Sequence, residues 1–79
     1  MSHVPHELPE EFPDKIQAMH DLKMSDAHFQ RLAEEYHELN RQIHRVETGV
    51  EPTSEQFETE LRKKRLYLKD EIASILAAA

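Results

Sequence analysis

The side chains in this sequence that could carry chemistry are six histidines, sixteen carboxylates and one short basic run. His37 and His44 would lie about 10 Å apart along a helix, too far for both to bind one Zn²⁺ through bonds of about 2 Å. His37 and Glu38 begin like a zinc-protease motif, but Arg41 stands where that motif requires its second histidine. The sequence therefore indicates no metal site.

The basic run comprises residues 62–65, followed by Lys69. On a helix these positions spread around most of the circumference, and Glu58 and Glu60 each precede a basic residue by four positions, the favourable order for ion pairs. A solvated, internally paired face is the favoured interpretation, and contact with RNA or DNA is the alternative. Tyr67 is the one aromatic residue in this stretch, so a base-stacking platform has little support.

The carboxylates do not form a recognisable catalytic motif. Glu34, Glu35 and Glu38 stand close together, but a thin helical protein offers no cavity to desolvate them and so shift the pKa of any of them. The chain has no cysteine and a single glycine, which excludes a thiol nucleophile and a glycine-rich phosphate loop. We expect no enzymatic activity, no catalytic residue and no cofactor.

Length and composition limit the remaining classes of protein. A chain of 79 residues makes one small domain, which rarely exceeds about 3–5 kcal/mol of stability without a disulfide, a metal or a partner. No apolar run approaches the roughly 20 residues that span a bilayer, and the acidic, proline-broken N-terminus is unlike a secretory signal. We expect a cytoplasmic protein with no membrane contact. The net charge of −6 disfavours general affinity for nucleic acid.

The first quarter of the chain predicts a tail and a short helix. Residues 1–11, with two prolines and an acidic pair, predict a disordered tail. Pro13 suits the first position of a helix over about residues 13–23. Ser25 is a candidate N-cap, and the break it predicts is favoured over a helix that continues through it. The apolar residues of the short helix share one face: Phe12, Ile16 and Met19.

Two long helices are predicted by the rest of the chain. Apolar residues at alternating spacings of three and four predict a coiled-coil-like helix over about residues 26–48. Gly49, the one glycine, suits the left-handed residue that ends a helix, and the turn spans residues 49–52. Thr53 and Gln56 form a capping box for the last helix, over about residues 54–77.

The short turn predicts that the two long helices lie antiparallel. When the chain is folded at the turn, the numbers of most facing apolar residues sum to 104, as for Tyr36 with Leu68. The predicted fold is all-α, a single domain over residues 12–79 that forms an antiparallel two-helix hairpin with a short N-terminal helix. The predicted core comprises Phe29, Leu32, Tyr36, Leu39, Ile43, Val46, Phe57, Leu61, Leu68, Ile72 and Ile75.

Some side chains do not fit the hairpin core. Leu39 faces Arg65 across the predicted core. In the favoured interpretation, the apolar stem of Arg65 lies along the core and its charged head reaches Glu35 or Glu38. In the alternative, this position is a gap that a further helix fills. The N-terminal helix either folds over its own hairpin or packs in a dimer. We expect a homo-oligomer, with a dimer favoured, because so small a core benefits from an additional contact.

Three segments resemble the YdcH-like family of small bacterial proteins, which is a domain of unknown function. They are Phe12-Pro13, residues 26–45 and residues 63–72, in which the Leu-x-Leu-Lys-Asp-Glu pattern is the most specific part. The resemblance covers most of residues 12–76 and implies a bacterial cytosolic helical hairpin, with no reaction, substrate or cofactor. The matched motif includes positions that the core does not need, which are the candidate partner surface: Leu66, Tyr67, Lys69, Asp70 and Glu71.

These observations predict an interaction or adaptor protein that acts through helical surfaces. Leu66 and Tyr67 lie off the apolar stripe, as either isolated surface residues or part of a second interface. The alternative is a nucleic-acid- or ribosome-associated accessory protein that uses the segment Arg62–Lys69. The sequence does not identify the protein partner.

Overall fold

The computed structural model describes residues 4–79, which form helices and, within that range, no strand. Helix α1 (Leu8–Glu11) is followed by a 3-10 turn at Pro13–Lys15 that leads into α2 (Ile16–Ser25). The long helices are α3 (Ala27–Glu47) and α4 (Glu55–Ala78). The protein is all-α, as the sequence predicts.

The chain breaks between α2 and α3 at Asp26, whose φ of −133° and ψ of 104° are extended. Its Oδ1 accepts hydrogen bonds from the backbone N–H groups of His28 (3.0 Å) and Phe29 (3.2 Å). These amides have no partner inside the helix, so the carboxylate caps it. The break is therefore present, but the predicted cap was placed one residue too early. The Ser25 hydroxyl donates instead to the carbonyl of Asp21, within the last turn of α2.

Gly49 ends α3 in the left-handed conformation that its position predicts, with a φ of +78°. The N–H of Val50 donates to the carbonyl of Arg45 (2.9 Å), and the N–H of Gly49 donates to that of Val46 (3.2 Å). This pair of bonds is the Schellman motif, which satisfies the last carbonyls of a helix. A side chain at this φ would strain the backbone, so glycine is favoured here.

The cap of α4 is Ser54. Its Oγ accepts from the N–H of Phe57 at 3.1 Å. The predicted capping residue, Thr53, lies one position earlier, outside the helix. Both hydroxyl residues are good caps, so local sequence does not distinguish them.

The core lies where α3 packs against α4, and the N-terminal segment (residues 4–25) adds Leu8 and Met19 to it. Of the predicted core, Val46 and Ile75 are partly buried, and eight residues are buried: Phe29, Leu32, Tyr36, Leu39, Ile43, Leu61, Leu68 and Ile72. The buried residues outside the predicted set are Leu8, Met19, Ala33, Asn40 and Leu76.

Phe57 does not belong to this core, since the residue is 45% exposed. Arg62 of α4 donates to Glu47, which is the last residue of α3. The end of α3 therefore lies beside Arg62. Phe57 lies more than one turn further towards the connecting loop and has no facing turn of α3. The predicted pairing of Phe57 with Val46 is therefore wrong, because it places Phe57 against a part of α3 that does not reach it.

Two polar contacts show the order in which α3 and α4 face each other. Arg62 meets Glu47, and Arg65, further along α4, donates from Nη1 to Oδ1 of Asn40 at 2.9 Å, two turns back along α3. The arginine that comes later in α4 thus contacts the residue that comes earlier in α3. The arginine head reaches Asn40 and not Glu35 or Glu38, the partners predicted from the sequence.

The N-terminal segment differs from its prediction. Residues 4–11 were expected to belong to a disordered tail, whereas they contain α1 and place Leu8 in the core at 5% exposure. Residues 1–3 of that predicted tail lie outside the described residues. Met19 is buried and Phe12 partly buried against the hairpin, while Ile16 on the same predicted face is 53% exposed. The N-terminal segment therefore packs on the long helices of its own chain.

Leucine-to-alanine substitutions on α4 test this packing. Leu68→Ala is expected to destabilise the fold by about 2–5 kcal/mol, because the 4%-exposed side chain would leave a cavity. Leu66→Ala, on the same helix but 59% exposed, is the matched control; in dilute protein, where contacts between copies do not contribute, it should change stability by about 0.5 kcal/mol or less. Urea unfolding followed by circular dichroism measures both. Equal effects of the two substitutions would show that Leu68 is not on the buried side of α4.

Candidate interaction surfaces

The face of α4 that points away from the core carries Leu66 and Tyr67, which are 59% and 63% exposed. At about 100° per residue, buried Leu68 and Ile72 lie on the opposite side of the helix. Asp70 is exposed on the same outward side. Three of the five candidate surface residues thus lie together on one exposed surface.

Lys69 is partly exposed and contacts the N-terminal segment. Its Nζ donates to Oε1 of Glu11 at 2.7 Å and lies 5.9 Å from the centroid of the Phe12 ring, within cation–π range. The hydrogen bond from Lys69 lowers the pKa of the Glu11 carboxyl, an effect that partial burial opposes and the charge of Lys69 reinforces. Lys69 therefore helps to hold the N-terminal segment in place.

Glu71 lies beside Tyr67, at the edge of the outward face. A hydrogen bond with the Glu71 carboxylate, together with its negative charge, raises the pKa of the Tyr67 phenol, because both favour the protonated form. A shallow groove opens next to this pair and is lined by His28, Tyr67, Asp70, Glu71, Ser74 and Ile75. The exposed face of α4 thus has an acidic concave edge.

Asn40, which the sequence analysis did not single out, is the polar centre of the structure. It is 1% exposed, and its Nδ2 donates to the carbonyl of Pro5 (2.8 Å) and to Oε1 of Glu7 (3.2 Å). Its Oδ1 accepts from Arg65 of α4. One amide group therefore links the N-terminal segment, α3 and α4. The signal in the sequence was the unmatched Arg65, which required a polar partner near Leu39.

Tyr36 and His37 extend this contact along α3. The Tyr36 hydroxyl donates to the carbonyl of His6 at 2.7 Å, and burial raises the pKa of Tyr36 to about 12, with the charge of Glu11 adding to the effect. His37 Nδ1 lies 3.0 Å from Oε2 of Glu7. His6 itself has a φ of 66°, so the chain bends there to present its carbonyl. These contacts order a segment whose composition is typical of a tail.

The basic run of α4 is largely paired within the chain. Arg62 bonds both Glu47 and Glu58, and the bond to Glu47 raises the pKa of its guanidinium. Lys63 lies 3.8 Å from Glu60 in a loose, exposed contact. With Arg65 at Asn40 and Lys69 at Glu11, most of these cations have an internal partner.

Two of the described histidines lie beside carboxylates. His6 lies 3.6 Å from Glu11, and His37 pairs with Glu7. Within residues 4–79, no three histidine, aspartate or glutamate side chains lie close enough together to hold a metal ion. Over the same range, no helix has the length and apolar character that crossing a bilayer requires.

Removing the amide of Asn40 tests its role as the link. Asn40→Ala is expected to destabilise the protein by about 1–3 kcal/mol, because buried polar partners lose their hydrogen bonds. Gln42→Ala, a partly exposed amide on the same helix, is the matched control and should cost little. Urea unfolding gives both values. A cost no larger for Asn40→Ala than for Gln42→Ala would contradict the assignment.

The contact of Glu11 with Lys69 predicts a pH dependence. The pKa of Glu11 is lowered in the folded protein, so its contribution is complete above the ordinary carboxyl range and is lost as pH falls through the lowered value. Wild type should therefore be more stable than Glu11→Gln at pH 7, and the difference should shrink towards zero in acid. Thermal melts between pH 7 and pH 3 measure it. A difference that is independent of pH would contradict the ion pair.

Comparison with known proteins matches this chain to a protein family. The model of a family described as a protein of unknown function (DUF465) matches residues 29–76, which span most of α3, the turn and most of α4. Among the curated proteins and the solved structures, none matches the chain. The YdcH-like proteins, which the sequence resembles, are members of the matched family. Because the match covers more than half of the chain, this protein belongs to the DUF465 family of small proteins of unknown function.

Proposed function

We propose that this protein is a non-enzymatic interaction protein that binds another polypeptide through the outward face of α4. The observation that carries the proposal is the exposure of Leu66 and Tyr67, two adjacent large apolar residues on a helix whose other side is buried. The scaffold is the antiparallel hairpin of α3 and α4, which the contacts of Arg62 and Arg65 support. A bacterial origin and a cytoplasmic location stay predictions.

The energetics favour this pair of residues as a binding centre. Burying a leucine or a large aromatic side chain stabilises a complex by about 1.5–3 kcal/mol, and tyrosine is enriched among the residues that dominate binding. Other exposed apolar residues stand singly, as do Met24, two residues before Asp26, and Val50, directly after Gly49. Single exposed apolar residues are ordinary, whereas an adjacent pair on a regular helix face is less so.

The perturbed titratable groups support a role without catalysis. Strongly shifted pKa values often mark active sites, but structural contacts produce them as well. Here each resolved shift has a structural cause: the contact of Glu11 with Lys69, the burial of Tyr36 in the core, and the contacts of Arg62 with Glu47 and of Tyr67 with Glu71. No separate chemical task is needed to account for them.

The alternative, binding of nucleic acid by Arg62–Lys69, has weaker support. Arg62, Arg65 and Lys69 donate to groups of the same chain, so phosphate binding would have to break those bonds. The net charge of −6 adds an unfavourable long-range term for a polyanion. The observations favour a polypeptide as the ligand.

Affinity capture tests the proposal. Tagged protein, produced near its native level in its own host, should retain a polypeptide that the double variant Leu66→Glu/Tyr67→Glu retains at least about tenfold less, because charge replaces the apolar centre. Mass spectrometry identifies and quantifies the captured chains. Circular dichroism checks that each variant is still helical.

The control for this capture is the double variant Met24→Glu/Val50→Glu. It adds the same charge at two other apolar positions, which are 79% and 72% exposed. Capture by this control should equal that of wild type. A wild-type bait that retains neither untagged copies of itself nor any other polypeptide would overturn the proposal.

A further inference from the structure

We infer that the outward face of α4 binds the same face of a second copy of this chain, antiparallel and about a two-fold axis. This inference rests on the proposed function, because it names the polypeptide that the face binds. It follows from the positions and charges of Lys63, Leu66, Tyr67 and Asp70, which are called the α4 patch below.

The α4 patch has the geometry of a helix–helix contact. Its members occupy positions i, i+3, i+4 and i+7, which lie side by side on one face of a helix. That face is opposite buried Leu68 and Ile72, so the rest of the chain does not cover it. The side chain of Lys63 is 70% exposed, and Asp70 is exposed as well. The patch is therefore accessible as a unit.

The charges of the patch are complementary to themselves. A basic residue stands at its N-terminal end, an acidic residue at its C-terminal end, and the two apolar residues lie between them. A two-fold axis that passes between Leu66 and Tyr67, perpendicular to the helix, brings each Leu66 against the partner's Tyr67. It also places Lys63 opposite the partner's Asp70, and Asp70 opposite the partner's Lys63. An isologous dimer requires this kind of self-complementarity.

The two charged groups are available for such pairs. The contact of Lys63 with Glu60 is long, at 3.8 Å, and solvent-exposed, so it contributes little and can be exchanged. Among residues 4–79, the Asp70 carboxylate makes no hydrogen bond or ion pair. Neighbouring Arg62 and Lys69, by contrast, are occupied within the chain. Neither Lys63 nor Asp70 of the α4 patch is thus held by a strong contact within the chain.

The symmetry of the patch favours a second copy over an unrelated partner. A different protein would require charges complementary to its own surface. It would not require the two ends of the α4 patch to carry charges of opposite sign. A parallel pair of copies would set Lys63 against the partner's Lys63, which like-charge repulsion opposes. The antiparallel arrangement satisfies both ends at once. The small core of the chain also benefits when a copy covers exposed apolar surface.

Charge reversal tests the inference. Wild type should show a monomer–dimer equilibrium in sedimentation velocity over a concentration series. Lys63→Asp and Asp70→Lys should each weaken dimerisation by about tenfold or more, because two symmetric attractions become repulsions. The double variant Lys63→Asp/Asp70→Lys should restore it. An equimolar mixture of the two single variants should form a heterodimer, since each position then faces an opposite charge.

The control is Lys64→Asp, which makes the same change at the next position, outside the patch. It should leave the dimer unaffected, and circular dichroism should show equal helix content in all variants. Wild type that stays monomeric, a dimer that ignores Lys63→Asp, or a double variant that is not restored would each overturn the inference.

The two proposals fail in different ways. If the chain is monomeric while Leu66→Glu/Tyr67→Glu still loses a captured host protein, the second-copy inference is wrong and the proposed function stands. If the copies dimerise through another face and no captured polypeptide depends on Leu66 and Tyr67, both are wrong.

Discussion

The buried amide of Asn40 is the contact on which the arrangement of this small protein depends. A polar group at 1% exposure is costly unless it is hydrogen-bonded, and here both of its polar atoms have partners. Those partners come from the N-terminal segment and from Arg65 of α4, so α3 satisfies its buried amide only when both other parts are in place. Apolar packing alone would allow neighbouring registers of two helices, whereas this set of bonds fits one.

The position of the N-terminal segment decides which surface remains exposed. Its bonds to Tyr36, Asn40 and Lys69 lie along one side of the hairpin, and Leu8 seals the core there. The outward face of α4 lies away from that side and keeps Leu66 and Tyr67 exposed. The same contacts that stabilise the hairpin therefore separate a closed polar side from an open apolar one. That separation supports the proposal that α4 binds a polypeptide.

Periodic patterns predicted the long helices and most of the core, because heptad spacing and Gly49 report local geometry directly. Leu66 and Tyr67 were found by the same logic, as residues off the stripe. Phe57 was misplaced because its burial depends on where α3 ends, which is a property of another segment. The ordered N-terminal segment was missed because its composition is typical of a disordered tail. Its order depends on a hydrogen bond to Asn40, which is distant in the sequence, and the periodic pattern of α3 does not indicate such a contact.

Pairing of α4 with its copy would also place the acidic grooves in a defined relation. A two-fold axis through the α4 patch repeats the groove of His28, Tyr67 and Glu71 on the second chain, at the same interface. The N-terminal segments, bound through Lys69 and Asn40 on the core side, would stay outside the contact in both copies. Dimerisation thus needs no rearrangement of the polar contacts that stabilise each chain. Folding and association would therefore depend on different residues, and substitutions can separate the two.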